Sequence, residues 1–219
     1  MRLKTQNIFF LTAIFAVVIQ LAGCTTKPVN LSVARESVKE YYESGKFDEE
    51  LDNVIREAKD KFSKVEFADN SVVIFDVDET ALNNYEVSKK MGYGYLYEMV
   101  YEWTQGAKVP AFPQVKELYD YLLSKGSKII FLTARRDDEY DATYKNLINQ
   151  GYTEFDTLLT KSKNEYEMKS LEFKSAKRVE LIEMGYEIIG TVGDQRSDLE
   201  GPHHGIQVKV PNYLYQNVY

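Results

Sequence analysis

Three short apolar runs, at residues 72–75, 129–132 and 188–192, each stop abruptly at polar side chains, and helical patterns separate them. Val72, Val73, Ile74 and Phe75 follow one another without polar alternation, as in a strand buried on both faces. Between the runs, Val115, Leu118, Tyr119 and Leu122 recur at helical spacing ahead of Gly126; residues 138–150 lead to Gly151, and residues 174–184 lead to Gly185. A glycine stands each time where a left-handed helix cap falls. Strands alternating with helices imply a parallel sheet covered on both faces, so the expected class is α/β, a three-layer α/β/α sandwich. Two amphipathic helices precede the first run: Val33, Val38, Tyr41 and Tyr42 mark one ending near Gly45, and Leu51, Val54, Ile55, Ala58 and Phe62 mark the next.

A chain of 219 residues suits one domain with a short extension. Its 44% hydrophobic and 28% charged residues exclude disordered, collagen-like and multi-spanning membrane classes. The net charge of −7, without any Lys/Arg run, leaves nothing to neutralise a nucleic-acid polymer. One cysteine excludes an intrachain disulfide and a Cys-based zinc cluster, and the two histidines, His203 and His204, are adjacent and exclude a His-rich metal site.

The cysteine belongs to a leader pattern. Arg2 and Lys4 precede an apolar run that closes on Leu21, Ala22, Gly23 and Cys24. Residues 8–22 are too few for a spanning helix of about 20 residues, so an export signal is expected. The Leu-Ala-Gly-Cys tetrad resembles a bacterial lipoprotein box, which implies cleavage after residue 23 and lipidation of Cys24; an ordinary signal peptide is the plainer alternative. The expected organisation is a lipoprotein signal peptide at 1–23, a tether at 24–31 and one folded domain at 32–219. The expected localisation is a membrane-anchored exported lipoprotein, on the outer membrane and facing periplasm or surface. Cleavage removes Arg2 and Lys4 and no acid, so an anionic mature chain depends on its acyl chains for attachment.

Chemistry collects where the apolar runs end. The first continues into Asp76-Val77-Asp78-Glu79-Thr80, the second into Thr133-Ala134-Arg135-Arg136, and the third into Gly193-Asp194-Gln195-Arg196-Ser197-Asp198. An isolated Asp-x-Asp after a strand is ordinarily a helix cap or a solvated turn. An EF-hand is excluded, because Ala81 stands where the loop needs Gly and Val87 where it needs a bidentate Glu. Lys174, read as opening the helix ahead of the third run, brings a cation to the same edge. Residues from about 81 to 112 break the strand–helix alternation and carry Tyr85, Tyr93, Tyr95, Tyr97, Tyr101 and Trp103. They read as a small helical cap insert over the strand ends, although each tyrosine taken singly reads first as local core. Arg135 and Arg136 read as surface ion-pair partners, and His203 and His204 as solvated loop residues outside the site.

These segments, in this order, resemble the haloacid dehalogenase superfamily, and within it the secreted acid phosphatases of plants and the bacterial lipoprotein acid phosphatases. The resemblance covers roughly residues 30–215, with residues 76–80 as first motif, Thr133 as second, Lys174 as third and Asp194 with Asp198 as fourth; Lys177 is a rival for the third. It implies a Rossmann-like sandwich and a phosphomonoesterase acting on small phosphomonoesters. A phosphoester dianion repels a carboxylate nucleophile, so Mg²⁺ is expected, held by Asp76, Asp194 and a backbone carbonyl near Asp78, with Asp198 orienting metal-bound water. Asp76 would attack phosphorus to give an aspartyl-phosphate, Asp78 would act as acid and then base, and Thr133 and Lys174 would hold the phosphoryl oxygens. The insert is expected to set specificity by stacking on planar leaving groups such as those of nucleoside monophosphates. A phosphotransferase using the same intermediate and a non-catalytic surface binding lipoprotein are the alternatives. The motifs leave the oligomeric state undetermined.

Overall fold

A computed structural model describes residues 28–217. The expected leader at 1–23 and the lipidation site Cys24 lie outside the described residues.

Five strands, β1 (Ser71–Phe75), β2 (Lys128–Arg136), β3 (Thr157–Lys161), β4 (Glu187–Gly193) and β5 (Ile206–Lys209), form one parallel sheet in the order β3-β2-β1-β4-β5. β1 is central, and its side chains alternate between two cores. Val73 and Phe75 face one side, where α2 (Lys46–Phe62) supplies Leu51, Ile55 and Phe62, and α5 (Pro113–Ser124) supplies Val115, Leu118 and Leu122. Val72 and Ile74 face the other, against Phe173 and Leu181 of α7 (Ser170–Glu183). Both faces being covered explains the unbroken apolar run. Removing a buried side chain there, as in Ile74→Ala, costs about 2–5 kcal/mol. Gly190 on β4 is required by close packing, since a Cβ there would lie 2.5 Å from the Phe62 ring.

The α/β sandwich expected from the sequence is present. β3 and β5 are additions to it, lying at the two edges of the sheet. α1 (Leu31–Glu43) and α6 (Tyr140–Asn149) fall where the patterns put helices. α7 begins at Ser170, so Lys174 sits one turn inside the helix rather than opening it, which corrects the expectation that the helix N-terminus and the ammonium act together. The insert holds α3 (Tyr85–Lys90) and α4 (Tyr97–Gln105). Its base belongs to the core: Ala81, Leu82, Val109 and Phe112 are buried, and Leu82 bridges to both Asp78 and Ala111. Only the middle of the expected cap therefore stands over the strand ends. Among the described residues no helix is long and apolar enough to cross a membrane.

Candidate active site

Parallel strands deliver their carboxyl ends to one edge, and β1, β2 and β4 end there in Asp76, Thr133 and Asp194. Asp76 is 6% exposed, with its main-chain N–H bonded to Val192 O at 2.9 Å. Asp198 reaches it from α8 (Arg196–Leu199), a short helix closed by a hydrogen bond from Gln195 N–H to Asp198 Oδ2 at 2.8 Å. Gly193 makes that approach possible, since a Cβ there would meet Asp198 Oδ2 at 2.4 Å. Asp76, Asp194 and Asp198 each offer an oxygen within 4.8 Å of the others, and all are buried. The Lys174 ammonium donates to Asp76 and, at 2.6 Å, to Asp198 Oδ1. Lys177, the rival, points elsewhere, to Glu165 at 2.7 Å and Glu180 at 3.0 Å.

One expectation changes here, that for Arg135. Asp198 lies inside the carboxylate cluster with Asp76 and Asp194. Asp78, whose carboxylate could have joined the cluster, is turned to Arg135 instead: Nε donates to Oδ2 at 3.0 Å and Nη2 to Oδ1 at 2.6 Å, with Asn84 Nδ2 adding a bond to Oδ1 at 2.8 Å. Arg135 is 7% exposed and also donates to Thr143 Oγ1 at 2.9 Å, so it is a buried partner and not a surface ion-pair residue. It shares a face of β2 with Thr133, two residues earlier, and that spacing is the signal that could have found it. Thr133 Oγ1 accepts the Arg135 main-chain N–H at 3.2 Å.

The electrostatics divide the site in two. Burial pushes Asp76 well above the usual carboxylate range; Lys174 opposes this, and the neighbouring Asp198, Asp194 and Asp78 add to it. Burial, with Asp198 and Glu79 nearby, lifts Asp194 to about 7. Burial would raise Asp78 too, but the Arg135 charge and its hydrogen bonds outweigh it and hold the carboxyl below its ordinary value. Lys174 is buried, yet Asp198 and Asp76 keep it protonated, with its pKa raised. Three buried carboxylates sharing one ammonium are short of positive charge. Oxygen donors so crowded fit a hard divalent cation such as Mg²⁺.

Glu79 went unremarked in the sequence. It holds a left-handed backbone at φ 52° and is buried; Oε2 accepts from Tyr215 Oη while Oε1 has no hydrogen-bond partner. Burial and the nearby Asp78 lift it to about 8. Asp194 is held by Asn212 Nδ2 at 2.6 Å, by Gln195, and by Thr80 Oγ1 at 3.3 Å. A cavity of about 660 Å³ opens above this floor. Tyr93, Tyr95, Tyr97 and Tyr101 of the insert wall one side, and residues 214–217 wall another. Tyr95 is 71% exposed. Tyr85 instead stacks on Tyr42 at 4.8 Å, and Trp103 donates to Asn84 Oδ1 at 3.2 Å, so both are structural. His203 and His204 do not line the cavity.

The fold is similar to that of the class C acid phosphatase from Bacillus anthracis, with a TM-score of 0.66 over 85% of each chain at 22% identity. Sequence relatives are nearer. A stem 31 kDa glycoprotein of Glycine max is 36% identical over 82% of this chain and 73% of its own. Acid phosphatase 1 of Solanum lycopersicum is 32% identical over 81% of this chain and 72% of its own. The family model for the HAD superfamily, subfamily IIIB (acid phosphatase), matches residues 13–218. Coverage of that extent, over a sheet whose strand ends carry these carboxylates, makes the chain a member of this acid phosphatase subfamily and a phosphomonoesterase.

Proposed function

We propose that this acid phosphatase cleaves small phosphomonoesters at Asp76 with Mg²⁺ held by Asp76, Asp194, Asp198 and the main-chain carbonyl of Asp78. The observation that carries this reading is the buried carboxylate cluster, its oxygens within 4.8 Å of one another around the Lys174 ammonium. Bound there, Mg²⁺ supplies the charge compensation that lets a carboxylate approach a phosphoryl dianion. Lys174 fixes the Asp76 carboxylate and faces the same anionic group, and Thr133 offers its hydroxyl to a phosphoryl oxygen. An oxygen of Asp76 forms the new bond to phosphorus as the bond to the leaving oxygen breaks, and the leaving oxygen takes a proton from Asp78. A water then attacks the aspartyl-phosphate, loses its proton to Asp78 and releases phosphate from Asp76. Arg135 keeps Asp78 ionised over most of the pH range, which suits its role as base; as an acid it works better as the pH falls.

Asp76→Asn tests the nucleophile. Activity on an alkyl phosphate should drop on the order of 10³-fold or more with the fold retained by circular dichroism. Near-normal turnover in that variant, or wild-type turnover that survives chelator, overturns the reading. Two finer parts belong to the same proposal. Tyr95 and Tyr97 line the cavity and leave flat, exposed rings for a planar leaving group, so Tyr95→Ala should weaken kcat/KM for a nucleoside monophosphate about tenfold while sparing an alkyl phosphate. Equal losses on both would remove the stacking role. The other part is attachment through lipidated Cys24, which rests on the residue pattern at 21–24 alone.

A further inference from the structure

The cavity is lined by three cations, and two of them are committed. Arg135 pairs with Asp78, and Lys174 pairs with Asp76 and Asp198. The third, Arg136, has no carboxylate within salt-bridge distance among the described residues. Its guanidinium lies between two rings instead, 4.6 Å from the centroid of Tyr166 and 5.7 Å from that of Tyr97. The nearest acids are engaged otherwise: Asp137 accepts from Tyr166 Oη, and Glu139 accepts the main-chain N–H of Arg136 at 3.1 Å. Aromatic faces steady a planar cation without consuming its N–H donors. Arg136 is thus held in place with its hydrogen-bonding edge available.

Its position separates it from the reacting centre. It leaves β2 three residues beyond Thr133, past a shift in the β2–β3 register. Lys161, its register partner on β3, is a second cation beside it, donating to the Met168 carbonyl and lying over the Phe173 ring. Elsewhere the lining is acidic, with Asp76, Asp78, Glu79, Glu139, Asp194 and Asp198 all facing or flooring the cavity. An anion on the far end of a substrate would be repelled from most of these walls and attracted to one place.

Taking the phosphatase site above as given, we propose that Arg136 determines specificity by receiving a second anionic group, phosphate or carboxylate, on the leaving moiety of a phosphomonoester. The preferred substrates are then small esters with an anionic group at the far end of the leaving moiety. The test compares three alkyl esters of one length, hexyl phosphate, hexanediol bisphosphate and phosphorylated hydroxyhexanoate, with Mg²⁺ present.

Wild type should show the lower KM for the two anionic-tailed esters. Arg136→Gln should raise KM for those two about tenfold more than for hexyl phosphate, with kcat little changed. A selective loss confined to one of the two tails identifies which anion is read. An equal rise in KM on all three esters would mean that Arg136 grips the transferred phosphoryl group, and no rise would mean that it is a structural stacking residue; either overturns the proposal. Added salt gives a check that needs no variant: KM for the bisphosphate should climb more steeply than KM for hexyl phosphate, and parallel slopes would count against a second ionic contact. If wild type hydrolyses none of the esters, it is the underlying phosphatase reading that has failed.

Discussion

Lys174→Met removes the only ammonium among three buried carboxylates while keeping an unbranched side chain of similar length. Lys174 is 4% exposed and bonded to both Asp76 and Asp198, so the variant leaves a buried ion cluster with one partner missing. Such a break costs about 3–5 kcal/mol. For a domain of this size 1 kcal/mol moves Tm by about 2–4 °C, so the metal-free variant should melt about 6–20 °C below wild type. Mg²⁺ changes the comparison. Lysine and metal compete for the same oxygens, so the variant should bind the cation more tightly and recover more stability from it; a hundredfold excess over Kd is worth about 2.7 kcal/mol. Activity should fall on the order of 10²-fold or more, since a positive charge facing the transferred group is lost. Melting curves in chelator and in millimolar Mg²⁺ decide the matter. The same drop in both, or none in chelator, would refute the idea that Lys174 compensates the carboxylates, and would make it a packing residue.

Arg135→Gln should let the pKa of the Asp78 carboxyl rise, because the guanidinium is what holds it down. The alkaline fall of kcat on an alkyl phosphate should then move to higher pH, and an unmoved profile would remove Asp78 as the acid. In chelator, Asp194 has a folded pKa of about 7 against an ordinary 3.8, so the native state binds the extra proton and stability should fall as pH rises through that window. Saturating Mg²⁺ should flatten or reverse that slope, and a slope indifferent to metal in melting curves would argue against cation binding by Asp194. Cys24→Ser should leave the protein unprocessed or released; unchanged membrane fractionation with no acyl incorporation in wild type would end the lipoprotein reading.

How far the sequence could be read follows from which interactions are local. β1, β2 and β4 were legible because burial on both faces writes a continuous apolar run. β3, Thr157–Lys161, and β5, Ile206–Lys209, are short edge strands with mixed burial, and too few residues carry the pattern. Asp76, Thr133 and Asp194 stood out because each closely follows an apolar run. Arg135 was misjudged for a non-local reason: Thr143 and Asp78, from elsewhere in the chain, close around the end of β2. Glu79 was invisible for the same cause, since its hydrogen-bond partner Tyr215 lies 136 residues away. Lys174 was singled out on a helix-terminus argument that α7 does not support, although its ammonium reaches the carboxylates.

Asp76 and Asp78 leave the same strand two residues apart, and nothing in their immediate sequence tells them apart chemically. The difference comes from what the other strands bring. β4 and α8 surround Asp76 with Asp194 and Asp198, which adds to the rise in its proton affinity. β2 meets Asp78 with Arg135, which lowers it and bonds both its oxygens, with Asn84 adding a bond to one of them. In the proposed mechanism a bound cation would ionise the nucleophile while a fixed arginine tunes the acid–base group, so metal occupancy would govern the first without moving the second. That independence fails if the pair titrates as one unit: the midpoints of the pH profile of kcat would then shift as Mg²⁺ is raised from sub-saturating to saturating levels, whereas separate control leaves the midpoints fixed and changes only the amplitude.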